Sequence, residues 1–203
     1  MSSTPASQPP RRMRRVLAPV ACVLAVILAM LGAAYLLPSV PGVGSILSWR
    51  LFSIPSGSMQ PTVRLGETVI ADMTYYAGHA PARGDVAVYP LPGDGATYMK
   101  RIVALEGDRI RFEDGRVLLN GKATDEPYAD LSEPKAFYNT TTEWTVPPGH
   151  VFVAGDNRHN STDSRVASKH GPVPVKTLQG RVMVIVFSAD LSRIGTWVGS
   201  PGK

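Results

Sequence analysis

Two residues in this chain have the types and the settings for nucleophilic chemistry. Ser58 lies in Pro55-Ser56-Gly57-Ser58-Met59-Gln60-Pro61-Thr62, a turn framed by glycine and proline that would hold a hydroxyl accessible. Lys100 lies in Tyr98-Met99-Lys100-Arg101-Ile102, an otherwise strand-like run. A serine hydroxyl is a poor nucleophile at neutral pH, and a lysine can take its proton only when the amine is itself neutral. That requires burial deep enough to bring the lysine well below its free value of about 10.4. Met99, Ile102 and Val103 supply apolar neighbours for such burial. The pair points to Ser/Lys hydrolase chemistry.

Either residue alone is ordinary, since a Ser-Gly-Ser turn is usually only a turn and a strand lysine usually faces water. A third segment shifts the balance. The apolar run Val151-Phe152-Val153-Ala154 is followed at once by Gly155-Asp156-Asn157-Arg158-His159-Asn160-Ser161-Thr162-Asp163-Ser164-Arg165. So many polar and charged groups beside a core strand are costly unless they satisfy one another.

Other chemistries find no support. His79, His150, His159 and His170 are scattered through loop-like contexts, with no His-Glu-x-x-His pattern and no Cys/His zinc spacing. We therefore expect no metal and no cofactor. The single cysteine, Cys22, lies within an apolar run and cannot form an intrachain disulfide. The net charge of +5 owes much to Arg11, Arg12, Arg14 and Arg15, and no aromatic-basic stripe accompanies it, so a nucleic-acid partner is not expected.

The elements that must position the chemistry read as follows. Residues 1–15 form a basic tail, Ser/Pro/Gln-rich at its start, and residues 16–37 are almost continuously apolar, about 22 in a row and long enough at ~1.5 Å per residue for a ~30 Å hydrocarbon core. We expect one transmembrane helix there, with the arginines cytoplasmic and the rest of the chain outside. A cleaved secretory signal is the competing reading, with Gly32-Ala33-Ala34 as its cleavage site, but the run is too long and continues past it. Residues 38–50 read as a linker and 51–203 as one extracytoplasmic domain. Short β-branched runs at 67–71, 85–89, 109–112, 116–119, 151–154 and 180–186, separated by turn residues, predict a mostly β, antiparallel domain. Glu113-Asp114-Gly115 and Asn120-Gly121 are turn signals. Residues 125–145 lack periodicity and read as an extended surface insertion.

Four segments, in order, resemble the type I signal peptidases, membrane-bound Ser/Lys endopeptidases of the S26 family. They are the Ser58 turn, Arg83-Gly84-Asp85-Val86-Ala87-Val88-Tyr89, the Lys100 run through Asp108, and the 155–165 loop. His159 departs from the pattern, standing where many relatives carry an acidic residue. The resemblance implies a β-sheet catalytic domain of signal-peptidase type, in a bacterial cell membrane, that removes signal peptides from secretory preproteins after Ala-x-Ala-like sites. It implies Ser58 as nucleophile, Lys100 as general base, Ser56 with the Ser58 N–H as oxyanion hole, and Ser161 as the group orienting Lys100. Phe52, Ile54, Met59, Val63, Tyr98 and Met99 would shape two shallow substrate pockets. Arg101, Asp156, Asp163 and Arg165 would be structural ion pairs holding the last loop against the lysine strand. The partners implied are signal peptides and the lipid bilayer, with no obligate protein partner. A single-substrate processing protease of the same superfamily and an inactive membrane-anchored binding protein are the alternatives.

Overall fold

A computed structural model describes residues 48–91, 93, 95–132 and 142–199. The expected tail at 1–15, the membrane helix at 16–37 and the linker up to residue 47 lie outside the described residues. Among those described, no helix is long and apolar enough to cross a membrane.

The described residues form one compact unit. Its strands are β1 (Trp49–Ser53), β2 (Thr68–Asp72), β3 (Val86–Pro90), β4 (Thr97–Ala104), β5 (Arg109–Glu113), β6 (Arg116–Leu119), β7 (Lys122–Ala123), β8 (Trp144–Thr145), β9 (His150–Ala154), β10 (Val173–Pro174) and β11 (Gly180–Phe187). Seven of them make one sheet in the order β1-β2-β11-β3-β4-β9-β10, and four make a smaller sheet in the order β7-β6-β5-β8. Every strand pairing in both sheets is antiparallel. The mostly β, antiparallel expectation therefore holds for the described residues. Trp49 and Arg50, assigned from sequence to the linker, open β1 and pair with Asp72 and Ala71.

Period-two alternation explains how the large sheet builds cores on both faces. On β3, Val86 and Val88 join one buried cluster with Val63, Val69, Val182 and Ile185, whereas Ala87 and Tyr89 join another with Ile102, Val151 and Val153. Phe112 and Val117 of the small sheet pack with Phe152 and Val103 in a third. Both sequence-predicted turns use left-handed backbone, with Asp114 and Gly115 at φ 47° and 80° and Asn120 and Gly121 at 52° and 81°. Asp-Gly and Asn-Gly suit this geometry because it matches the twist of the strands they join.

The segment 125–145 is not a surface insertion along its whole length. Glu126 is buried against Arg158, Asp130 bridges to Asn157, and Trp144 and Thr145 form β8 beside β5. Its anchors are polar groups and a two-residue strand, neither of which produces hydrophobic periodicity. Residues 133–141 lie outside the described set.

Candidate active site

The turn that carries Ser58 is built between β1 and β2. Ile54 N–H donates to Glu67 O at 2.9 Å and Gly66 N–H to Ile54 O at 2.9 Å, closing the base of the loop. Inside it, Gln60 N–H donates to Gly57 O at 3.1 Å and Val63 N–H to Met59 O at 2.9 Å. Met59 and Val63 are buried and tether this turn to the core. Ser58 is thereby carried out to the wall of a cleft, with Ser56 Oγ and Ser58 Oγ 3.3 Å apart.

Lys100 comes from the middle of β4, directly opposite the small Ala87 of β3. Its Nζ donates to Ser58 Oγ at 2.9 Å and to Met99 O at 3.0 Å. The residue is only 5% exposed. Burial pushes the amine down to about 8 and Arg165 adds to the effect, while Asp163 and Asp156 oppose it. Two residues 42 positions apart thus bring an amine and a hydroxyl within proton-transfer distance.

The loop after β9 closes the site from the other side. Asp156 accepts two bonds from Arg101, at 2.8 and 2.7 Å, with both side chains buried. Arg101 also donates to Gly84 O at 2.7 Å and lies over the Tyr128 ring at 3.9 Å. This pair joins the loop to the lysine strand. Asp163 pairs with Arg165 at 2.8 and 2.7 Å and accepts Gly155 N–H at 2.9 Å. The second pair therefore braces the loop within itself, because its members are two residues apart. Burial works against the charge on Asp163, but Arg165 outweighs it and holds the carboxyl below the usual range.

Ser161 is buried beside this centre, where its hydroxyl helps hold the Asp163 carboxyl below the usual range, and the expected bond from Lys100 is absent. The amine turns to Met99 O instead. Gly155 explains how Ser161 and Ser58 come close: a Cβ on Gly155 would collide with the Ser161 side chain and with Ser58 O. Ser58 O in turn accepts Asn157 N–H at 3.2 Å.

A cleft of about 430 Å³ opens in front of Ser58 and Lys100. Phe52, Ile54, Met59, Tyr98 and Met99 line it with Ser56, as the sequence reading expected. Val63 does not. It is fully buried, because the bond from Val63 N–H to Met59 O winds it beneath the turn into the core. Val88, Thr97, Asn160 and Thr162 are lining residues that sequence reasoning missed. Asn160 and Thr162 flank Ser161, and that adjacency was the signal available for them.

Also missed were Arg158 and Glu126. Arg158 is fully buried and donates to Glu126 at 2.8 and 2.7 Å, to Gly115 O at 2.8 Å and to Gly155 O at 3.0 Å. Burial lowers and the Glu126 carboxylate raises its pKa, and the carboxylate prevails. No group of His, Cys, Asp and Glu among the described residues could hold a metal ion.

The family model described as signal peptidase, peptidase S26, matches residues 19–187. A probable thylakoidal processing peptidase 2, chloroplastic, of Arabidopsis thaliana is 36% identical over 64% of this chain, which spans only 35% of that relative's length. A probable signal peptidase I-1 of Synechocystis is 31% identical over 74% of this chain and 78% of its own. A crystal structure of a signal peptidase I from Enterococcus faecalis aligns at 28% identity and a TM-score of 0.41, covering 51% of this chain and 97% of that one. The family match runs across the Ser58 turn, β4 and the last loop alike, and on it the chain belongs to the signal peptidase, peptidase S26 family.

Proposed function

We propose that this protein is a type I signal peptidase: a serine endopeptidase, anchored in a bacterial membrane by residues 16–37, that removes signal peptides from exported preproteins. The observation that carries the reading is the 2.9 Å approach of a buried Lys100 Nζ, pushed down to about 8, to Ser58 Oγ. Only a lysine whose proton is labile near neutrality can serve as a base.

In the proposed reaction, neutral Lys100 takes the Ser58 proton as Oγ attacks the scissile carbonyl. The oxyanion that forms is held by the Ser58 N–H and the Ser56 hydroxyl, donors that act on charge present only at the tetrahedral stage. The C–N bond breaks as the Lys100 ammonium returns the proton to the leaving amine. Water then attacks the acyl ester, giving its proton to Lys100, and the released Ser58 oxygen takes it back. Ser161 is assigned to hold the amine once it turns from Met99 O. Arg101, Asp156, Asp163 and Arg165 support the loop and carry no proton.

The substrate binds extended along the cleft, adding main-chain bonds beside the Ser58 and Lys100 segments. Phe52, Ile54, Met59, Tyr98 and Met99 narrow the cleft toward small side chains, which favours Ala-x-Ala. Presentation in the same bilayer raises the effective substrate concentration. The basic tail stays cytoplasmic and the peptidase domain faces out. The test is incubation of purified protein with several unrelated preproteins. Cleavage by wild type, with background levels for Ser58→Ala and Lys100→Arg, supports the reading. Cleavage of one preprotein alone would favour a dedicated processing protease, and none would favour an inactive binding protein.

A further inference from the structure

A buried ion pair holds the far end of the Ser58 loop. Glu67, just before β2, is 2% exposed. It accepts Arg64 N–H at 2.8 Å, Ser188 Oγ at 2.9 Å, and Arg193 Nε and Nη2 at 2.6 and 3.1 Å. Burial opposes its charge, but Arg193 and the other donors hold the carboxyl below the usual range. The same Arg193 Nη2 donates to Thr62 O at 2.8 Å and reaches Pro61 O at 3.4 Å. One guanidinium therefore joins the carboxylate at the loop's end to carbonyls three and four residues past Ser58.

The group that makes this link is itself held by the sheet. Arg193 ends a one-turn 3-10 segment, Leu191–Arg193, in which the Ser192 N–H donates to the Asp190 side chain. Beyond it the chain returns along β11, with Gly195 N–H on Ile185 O and Val198 N–H on Met183 O, both at 2.8 Å. Val198 is buried in the core that holds Met59 and Val63. Ser188 and Arg193 both lie past residue 187, where the family match stops.

We infer that Arg193 is a positioning residue for the reaction: its fork between Glu67 and the Thr62 carbonyl fixes the tilt of the turn that carries Ser58, and so sets the Ser58–Lys100 distance. The inference rests on the proposed nucleophile role of Ser58. A planar guanidinium with a fixed fork of donors suits this task, because it engages the carboxylate and the carbonyl at once. With the fork removed, the turn keeps its internal bonds and the packing of Met59 and Val63, but loses its polar brace to the segment after β11. A displacement on the order of 1 Å at a reacting atom costs roughly 100-fold in rate.

The test measures kcat and KM of the full chain in detergent on a peptide containing an Ala-x-Ala site. Arg193→Gln is expected to lower kcat by about ten-fold or more with KM changed less than about two-fold, the pattern of a lost alignment rather than lost binding. Arg193→Lys, which keeps the charge but not the fork, should fall between. Arg64→Gln is the control: it breaks a half-exposed 3.5 Å pair between the Ser58 loop and Asp190, beyond β11, and should behave as wild type. A folded Arg193→Gln protein with wild-type kcat, or one altered in KM alone, would overturn the inference. If Arg193→Gln fails to fold by near-ultraviolet circular dichroism, Arg193→Lys decides on the same criteria. Ser58→Ala separates the two readings: activity surviving that change sinks the nucleophile assignment, whereas a dead Ser58→Ala beside an unaffected Arg193→Gln sinks the brace alone.

Discussion

A lysine brought to about 8 by burial is charged at neutral pH in a place that disfavours charge. The unfolded chain, with a free value near 10.4, binds the proton more readily, so stability rises with pH between about 8 and 10.4 and the whole penalty is present below that window. Lys100→Met is accordingly expected to stabilise the domain by roughly 3 kcal/mol at pH 7, an advantage that disappears above about pH 10.5. Denaturant unfolding at both pH values checks this, and an unchanged or lowered stability at pH 7 would mean that Lys100 is not held unfavourably. The meeting of Ser58, Ser56 and Lys100 in one candidate site was legible because each stands in its own distinctive short segment. Glu126 with Arg158, and Glu67 with Arg193, were not. Their partners are 32 and 126 positions apart, and nothing local encodes the meeting.

The last loop depends on one missing side chain. Gly155→Ala would drive a methyl into Ser161 and Ser58 O, a backbone contact that cannot rotate away. It should cost about 1–3 kcal/mol of stability, as overpacking does, and reduce cleavage sharply by displacing Ser58. Normal cleavage by Gly155→Ala would show that the loop yields without moving Ser58. Glu126→Ala would leave the fully buried Arg158 without its carboxylate, and a cost of about 3–5 kcal/mol is expected for such an uncompensated charge, read as a shift in denaturation midpoint. Strands of five residues were readable, β5 from its apolar alternation and β3 from a continuous apolar, β-branched run. β8 and β10 span two residues each, too few to carry a period, so only tertiary pairing reveals them.

Across the molecule, burial would raise Glu67, Asp108, Glu126 and Asp163, yet the arginine beside each holds it below the usual carboxylate range. Such groups give stability that is present above their unfolded values of about 4 and lost as pH falls through the lower folded ones. The domain should therefore unfold cooperatively in acid below about pH 4, as followed by circular dichroism, and a flat signal there would contradict the pairing. The antiparallel architecture was legible as a class, whereas the strand order, with β11 between β2 and β3, was not, because it is set by which faces bury one another.

The central claim, that neutral Lys100 draws the proton from Ser58, is tested most directly by the pH dependence of kcat/KM on an Ala-x-Ala peptide. Activity is expected to rise with pH along a limb centred near 8, set by the free enzyme's base, and to be lost at every pH in Lys100→Arg, whose guanidinium keeps its proton. A limb centred near 6.5, or activity retained in folded Lys100→Arg, would contradict the assignment of Lys100 as the base.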